Sequence, residues 1–95
     1  MWITRVLDEV GAWVADPGDE SWQRSLRNRV DELTDAIRRT RRDVTFVSNE
    51  VGMGVVPDTP AGRLFRDELG RLNAAVGDAC DEVWMCVAGI PKRWA

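Results

Sequence analysis

The residues best suited to chemistry lie in one short run, VSNEVGMGVVP, from Val47 to Pro57. Asn49 offers an amide that can donate to a phosphate or to a substrate side chain. Glu50 offers a carboxylate that can hold a magnesium ion, directly or through water, or orient a substrate hydroxyl. Gly52 and Gly54 suit unusual backbone angles or the close approach of a ligand. A bland reading stands beside this one: the glycines make a tight turn and Glu50 is solvated. Two arginines further on, Arg66 and Arg71, are candidate anion contacts. They are equally placed to pair with Asp67, Glu68 or Asp78 on a helix surface, and this surface reading is the stronger.

Much other chemistry is excluded within these 95 residues. The sequence has no histidine, so acid–base and triad chemistry built on imidazole is absent, as are most zinc sites. It has one lysine, Lys92. Cys80 and Cys86 lack metal-ligand spacing and are read as buried thiols. No catalytic residue and no metal ligand set can be assigned. The net charge of −3 argues against nucleic acid as a partner, which needs a positive face. The basic run Arg38, Arg39, Arg41 and Arg42 has a structural reason to exist, because cations complement a helix C-terminus. No run is long and apolar enough to span a bilayer, and no leader pattern opens the sequence. The expected location is cytoplasmic.

The elements that must position the loop follow from periodicity. Ile3, Val6, Leu7, Val10, Trp13 and Val14 repeat at helical steps, up to a break at Asp16–Asp19. A second amphipathic helix starts near Glu20 or Ser21. It carries Trp22, Leu26, Val30, Leu33 and Ile37 on one stripe and fades in the arginine run. Val44-Thr45-Phe46-Val47 reads as a short buried strand. Asp58 or Thr59 caps a third helix with Pro60 at its first position, and Phe65, Leu69, Leu72 and Val76 form its stripe. Gly70 and Gly77 interrupt that helix, and close packing is the expected reason. Asn73 is expected to be a buried group bonded to a backbone carbonyl. Val83 to Ala88 reads as a second strand, ended by Gly89 and Pro91. Trp13, Trp22 and Trp84 are expected in the core. The expected order is thus helix, helix, strand, helix, strand. The class is α/β, with two parallel strands joined by a right-handed helical crossover. Two strands are too few for a sheet covered on both faces, so the sequence reads as one partial domain.

The run from Val47 to Ile90 resembles the C-terminal half of the bifunctional cobinamide kinase/cobinamide-phosphate guanylyltransferase family. The likeness rests on Asn49-Glu50-Val51-Gly52, Gly54 and Val56-Pro57. It continues through Phe65-Arg66-Asp67, Gly70-Arg71 and Asn73, and ends on Asp81-Glu82-Val83-Trp84 and Gly89-Ile90. It extends over nearly the whole sequence, since Trp2-Ile3-Thr4 resembles the point just after that family's central acidic strand. Ala74 departs from the family's usual glutamine.

The resemblance implies a P-loop NTPase-like (RecA-like) parallel sheet. It implies phosphorylation of adenosylcobinamide by ATP or GTP with magnesium, followed by GMP transfer from GTP to the resulting phosphate. The family's GxxxxGKS phosphate loop and its guanylylated histidine have no counterpart in these 95 residues. The expectation is therefore a chain inactive alone, with Asn49, Glu50, Gly52 and Gly54 on the rim of the site. On this reading Arg66 and Arg71 are candidates to reach a phosphate or corrinoid amides. The expected partners are adenosylcobinamide, a nucleoside triphosphate, and either further copies or a missing N-terminal half. The alternative is a non-catalytic oligomerisation or partner-binding module that completes a separate P-loop half.

Overall fold

The computed structural model describes residues 1–16, 18–50 and 57–94. Its elements are α1 (Trp2–Val10), α2 (Ser21–Arg39), α3 (Pro60–Ala79), β1 (Trp84–Val87) and β2 (Ile90–Arg93). The three helices pack on one another. Their shared core holds Ile3, Val6, Leu7, Ala12, Leu26 and Leu69, with Val10, Trp13, Trp22, Val30, Leu64, Phe65 and Leu72 partly buried against it. None of the three is long and apolar enough to cross a membrane.

The helix ends follow local chemistry. α1 stops at Val10 because Gly11 adopts a left-handed conformation at φ 75°. Gly11 N–H donates to Asp8 O and Ala12 N–H to Leu7 O, the paired bonds of a Schellman end. The apolar spacing runs on to Val14, but the helix does not. Trp13 still packs on the core from the following turn, while Val14 swings out and is 85% exposed. α2 begins after Asp19, whose carboxylate accepts from Ser21 N–H at 3.0 Å. That bond holds the Asp19 carboxyl below its ordinary pKa of 3.8. α2 ends at Arg39, where Arg38 pairs with Asp78 at 3.5 Å and Arg39 Nε donates to Asp35 O. α3 starts as its sequence indicates: the Thr59 hydroxyl accepts from Gly62 N–H at 3.0 Å and Pro60 occupies the first turn. A Cβ at Gly62 would sit 2.9 Å from Pro57 Cβ and from Thr59 Oγ1, so this cap requires glycine.

The sheet departs from expectation. β1 and β2 form an antiparallel hairpin, with Trp84 opposite Arg93, Met85 opposite Lys92, Cys86 opposite Pro91 and Val87 opposite Ile90. Ala88 and Gly89 make the two-residue turn at φ 51° and 76°, the primed geometry that matches strand twist. Pro91 does not end the pairing. Antiparallel pairs alternate between hydrogen-bonded and non-bonded, and counting from the turn places Cys86–Pro91 in a non-bonded position, where a missing N–H costs nothing. Trp94 N–H continues the ladder to Val83 O at 2.8 Å.

Val44 to Val47 forms no strand and is exposed throughout. A β-branched run becomes a strand only against a partner, and among the described residues β1 already pairs locally with β2. The expected parallel pair and the helix-helix-strand-helix-strand order are therefore not found among the described residues. The fold is mixed helix and strand, with three helices followed by a hairpin.

Burial also differs. Trp84 is 53% exposed and Cys86 is exposed, because no described element covers the hairpin, and Cys80, at the end of α3, is only partly buried. At Gly77 an added Cβ would meet Val83 Cγ2 at 3.5 Å, an ordinary contact, so close packing does not explain that glycine. The Cα radius of gyration is 14.6 Å, where a compact chain of this length has about 12 Å.

Candidate functional site

Asn73 organises the candidate site. It lies well inside α3, where asparagine costs about 0.5–0.7 kcal/mol relative to alanine. Its carboxamide is used at both ends. Nδ2 donates to Asn49 O at 2.8 Å, and Oδ1 accepts from the Ser48 hydroxyl at 2.5 Å. Two such bonds contribute about 1–3 kcal/mol net, enough to offset the propensity cost. The expected carbonyl bond is present, although Asn73 is half-buried rather than buried. The bonds fasten an exposed segment without regular structure to α3, just before Glu50.

Helical spacing sorts the remaining candidates. Arg66 and Asn73 are seven residues apart, two turns, and share the side of α3 that flanks buried Leu69. Arg71 is rotated about 140° from Arg66. It pairs with Glu68 at 2.5 Å and is 70% exposed. The two arginines therefore do not converge. Asn49 and Glu50 are exposed on the Asn73 side. Gly52 and Gly54 lie outside the described residues.

Sequence reasoning missed two residues. Ser48 completes the clamp, and its signal was a hydroxyl next to Asn49 in the same short run. Arg63 closes the approach to α3 by donating to Pro57 O at 3.2 Å and Asp58 O at 3.0 Å. A shallow open depression on α2, lined by Glu20, Ser21, Gln23, Arg24 and Arg27, contains none of the candidate residues. Among the described residues no three Cys, Asp or Glu side chains gather as a metal site.

Comparisons with known proteins address the chain as a whole. The family model described as cobinamide kinase / cobinamide phosphate guanyltransferase matches residues 1–94. The chain belongs to this family. It is 43% identical over 93 residues to the bifunctional adenosylcobalamin biosynthesis protein CobU of Salmonella typhimurium, covering 93% of this chain and 50% of that protein. It is 36% identical over 91 residues to the protein of the same name from Escherichia coli, with the same coverage. It is 44% identical over 48 residues to the bifunctional adenosylcobalamin biosynthesis protein CobP of Pseudomonas aeruginosa, covering 50% of this chain and 28% of that protein. The chain thus spans about half the length of the Salmonella typhimurium and Escherichia coli relatives.

Proposed function

We infer that these 95 residues are the C-terminal half of a P-loop kinase-like domain that works in cobalamin biosynthesis. The complete domain phosphorylates adenosylcobinamide with a nucleoside triphosphate and then transfers GMP from GTP to the new phosphate. The observation that carries this reading is the family match over residues 1–94.

In this account the chain supplies the rim of the substrate site. Asn49 and Glu50 orient polar groups of the substrate, and Arg66, on the same side of α3, is the candidate contact for an anionic group; Gly52 and Gly54, outside the described residues, stay candidates from the sequence alone. Arg71 serves the helix surface through Glu68. Phosphoryl transfer depends chiefly on positioning and on stabilising the charge of the phosphates. The groups for that task belong to the other half, together with the nucleophile that carries GMP. Magnesium keeps several of its waters and is held through one or two carboxylates together with substrate phosphates. Glu50 is the candidate to supply such a carboxylate from this chain, and no step is assigned to the metal here. The cytoplasm is the compartment consistent with such an enzyme.

A second reading is favoured by the exposed hairpin. The chain acts as a binding module that completes a separately encoded P-loop half, without chemistry of its own. Both readings expect no covalent labelling when the purified chain is incubated with radiolabelled GTP and magnesium. A labelled band at the size of this chain would contradict both. Cobinamide turnover that is restored with an added P-loop half and falls in Asn49→Ala or Glu50→Gln favours the first, and turnover indifferent to both substitutions favours the second.

A further inference from the structure

We propose that Asn73 is a positioning residue for the Ser48–Glu50 rim, and that its carboxamide sets where Asn49 and Glu50 stand relative to α3. The purpose given to the rim rests on the reading above; the clamp rests on geometry alone.

Residues 41 to 50 are exposed and lie outside the helices and strands, so no backbone ladder fixes their course. Two hydrogen bonds join them to α3 at Asn73: the Ser48 hydroxyl to Oδ1 at 2.5 Å, and Nδ2 to Asn49 O at 2.8 Å. The two partners are adjacent residues and use opposite ends of one planar amide. This fixes the direction of the chain as well as its distance from the helix. A residue holding only one of the bonds leaves the segment free to pivot about it. α3 is itself anchored by buried Leu69 one turn earlier, so the clamp transmits the position of the helical core to the rim. Aspartate at position 73 keeps an acceptor for Ser48 and removes the donor to Asn49. Alanine removes both.

The test is ¹⁵N relaxation on the full 95-residue chain and on N73A, N73D and S48A. Wild-type Ser48, Asn49 and Glu50 should show order parameters near those of rigid backbone, about 0.85. In N73A and N73D they should fall below about 0.6, the flexible range, while Leu7, Leu26 and Leu69 stay unchanged. S48A should give an intermediate loss. A direct signature is a scalar coupling across the Nδ2–H to Asn49 carbonyl bond, present in wild type and S48A and absent in N73D. The proposal is overturned if the rim is as mobile in wild type as in N73A. It is also overturned if N73A loosens rim and core alike, since Asn73 would then only stabilise the fold. Titration with cobinamide tests the other premise separately. Shifts at Ser48–Glu50 that weaken in N73D support the rim as a substrate contact. A rigid clamp with no cobinamide shift in wild type removes the substrate role and leaves the clamp standing.

Discussion

On α1, Ile3, Val6 and Leu7 are wholly buried, whereas on the hairpin Trp84, Val87, Ile90 and Trp94 are each more than half exposed. The two regions are comparably apolar in sequence. They differ in what their neighbours provide. The helices find each other, and three amphipathic stripes make one core. Val87 and Ile90 face one side of the hairpin and Trp84 the other, by strand alternation, and neither side is covered by a described element. Val44, Phe46 and Val47 repeat the pattern at 54%, 43% and 94% exposure. Apolar residues on both faces of a strand belong to a sheet with layers on both sides. The contrast teaches that the helical stripes find their cover in one another, whereas the apolar faces of the strands find none among the described residues. The proposed cover is the portion by which the relatives exceed this chain.

Substitutions can break or sharpen this contrast. Leu7→Ala should cost about 2–5 kcal/mol, enough to threaten the fold of so small a core, while Trp84→Ala should cost less than about 1 kcal/mol. Urea unfolding of both variants checks this, and comparable losses would erase the distinction between the regions. Two glycines on α3 should respond with opposite signs. Gly62→Ala drives a Cβ to 2.9 Å from Pro57 and Thr59 and should cost about 1–2 kcal/mol through the lost cap. Gly77→Ala meets Val83 at 3.5 Å and should gain up to about 1 kcal/mol of helix propensity. Thermal melts resolve the two signs, and a loss at position 77 would mean that α3 and the start of the hairpin pack more tightly than the structure has them. The smallest effect is expected at Asp19. Its folded pKa lies below 3.8, so its stabilising contribution is present above that pH and fades as pH falls through the folded value. Wild type should exceed Asp19→Asn in stability near neutrality and converge with it on acidification. A gap that widens in acid would contradict the Ser21 bond as the cause.

The legibility of the sequence divides along the same line. The start of α2, the Thr59–Pro60 start of α3 and the stripe containing Leu69 were readable because caps and helical periodicity are local. The carbonyl bond of Asn73 was readable for a related reason: a polar amide inside a helix needs a partner. The end of α1 was misread because apolar spacing continues past Gly11, and only the left-handed turn shows that Trp13 packs from outside the helix. Val83 to Ala88 does hold a strand, β1, but the pairing was misread because pairing is not local information. Val44 to Val47 has the composition of a strand and no partner among the described residues, and Pro91 concealed a hairpin that tolerates it at a non-bonded position. Arg66 and Arg71 looked equivalent in sequence, and the helix puts them on different sides.

The proposed function makes the hairpin a docking surface for a P-loop half like the portion of the relatives that this chain does not match. The most direct measurement follows the tryptophan indole resonances of this chain while adding the half of the Salmonella relative that it does not match. The account predicts a 1:1 complex in which the Trp84 and Trp94 signals shift and those of Trp13 and Trp22 hold. A chain that forms no complex, or one whose Trp84 and Trp94 signals stay unmoved on binding, would contradict it.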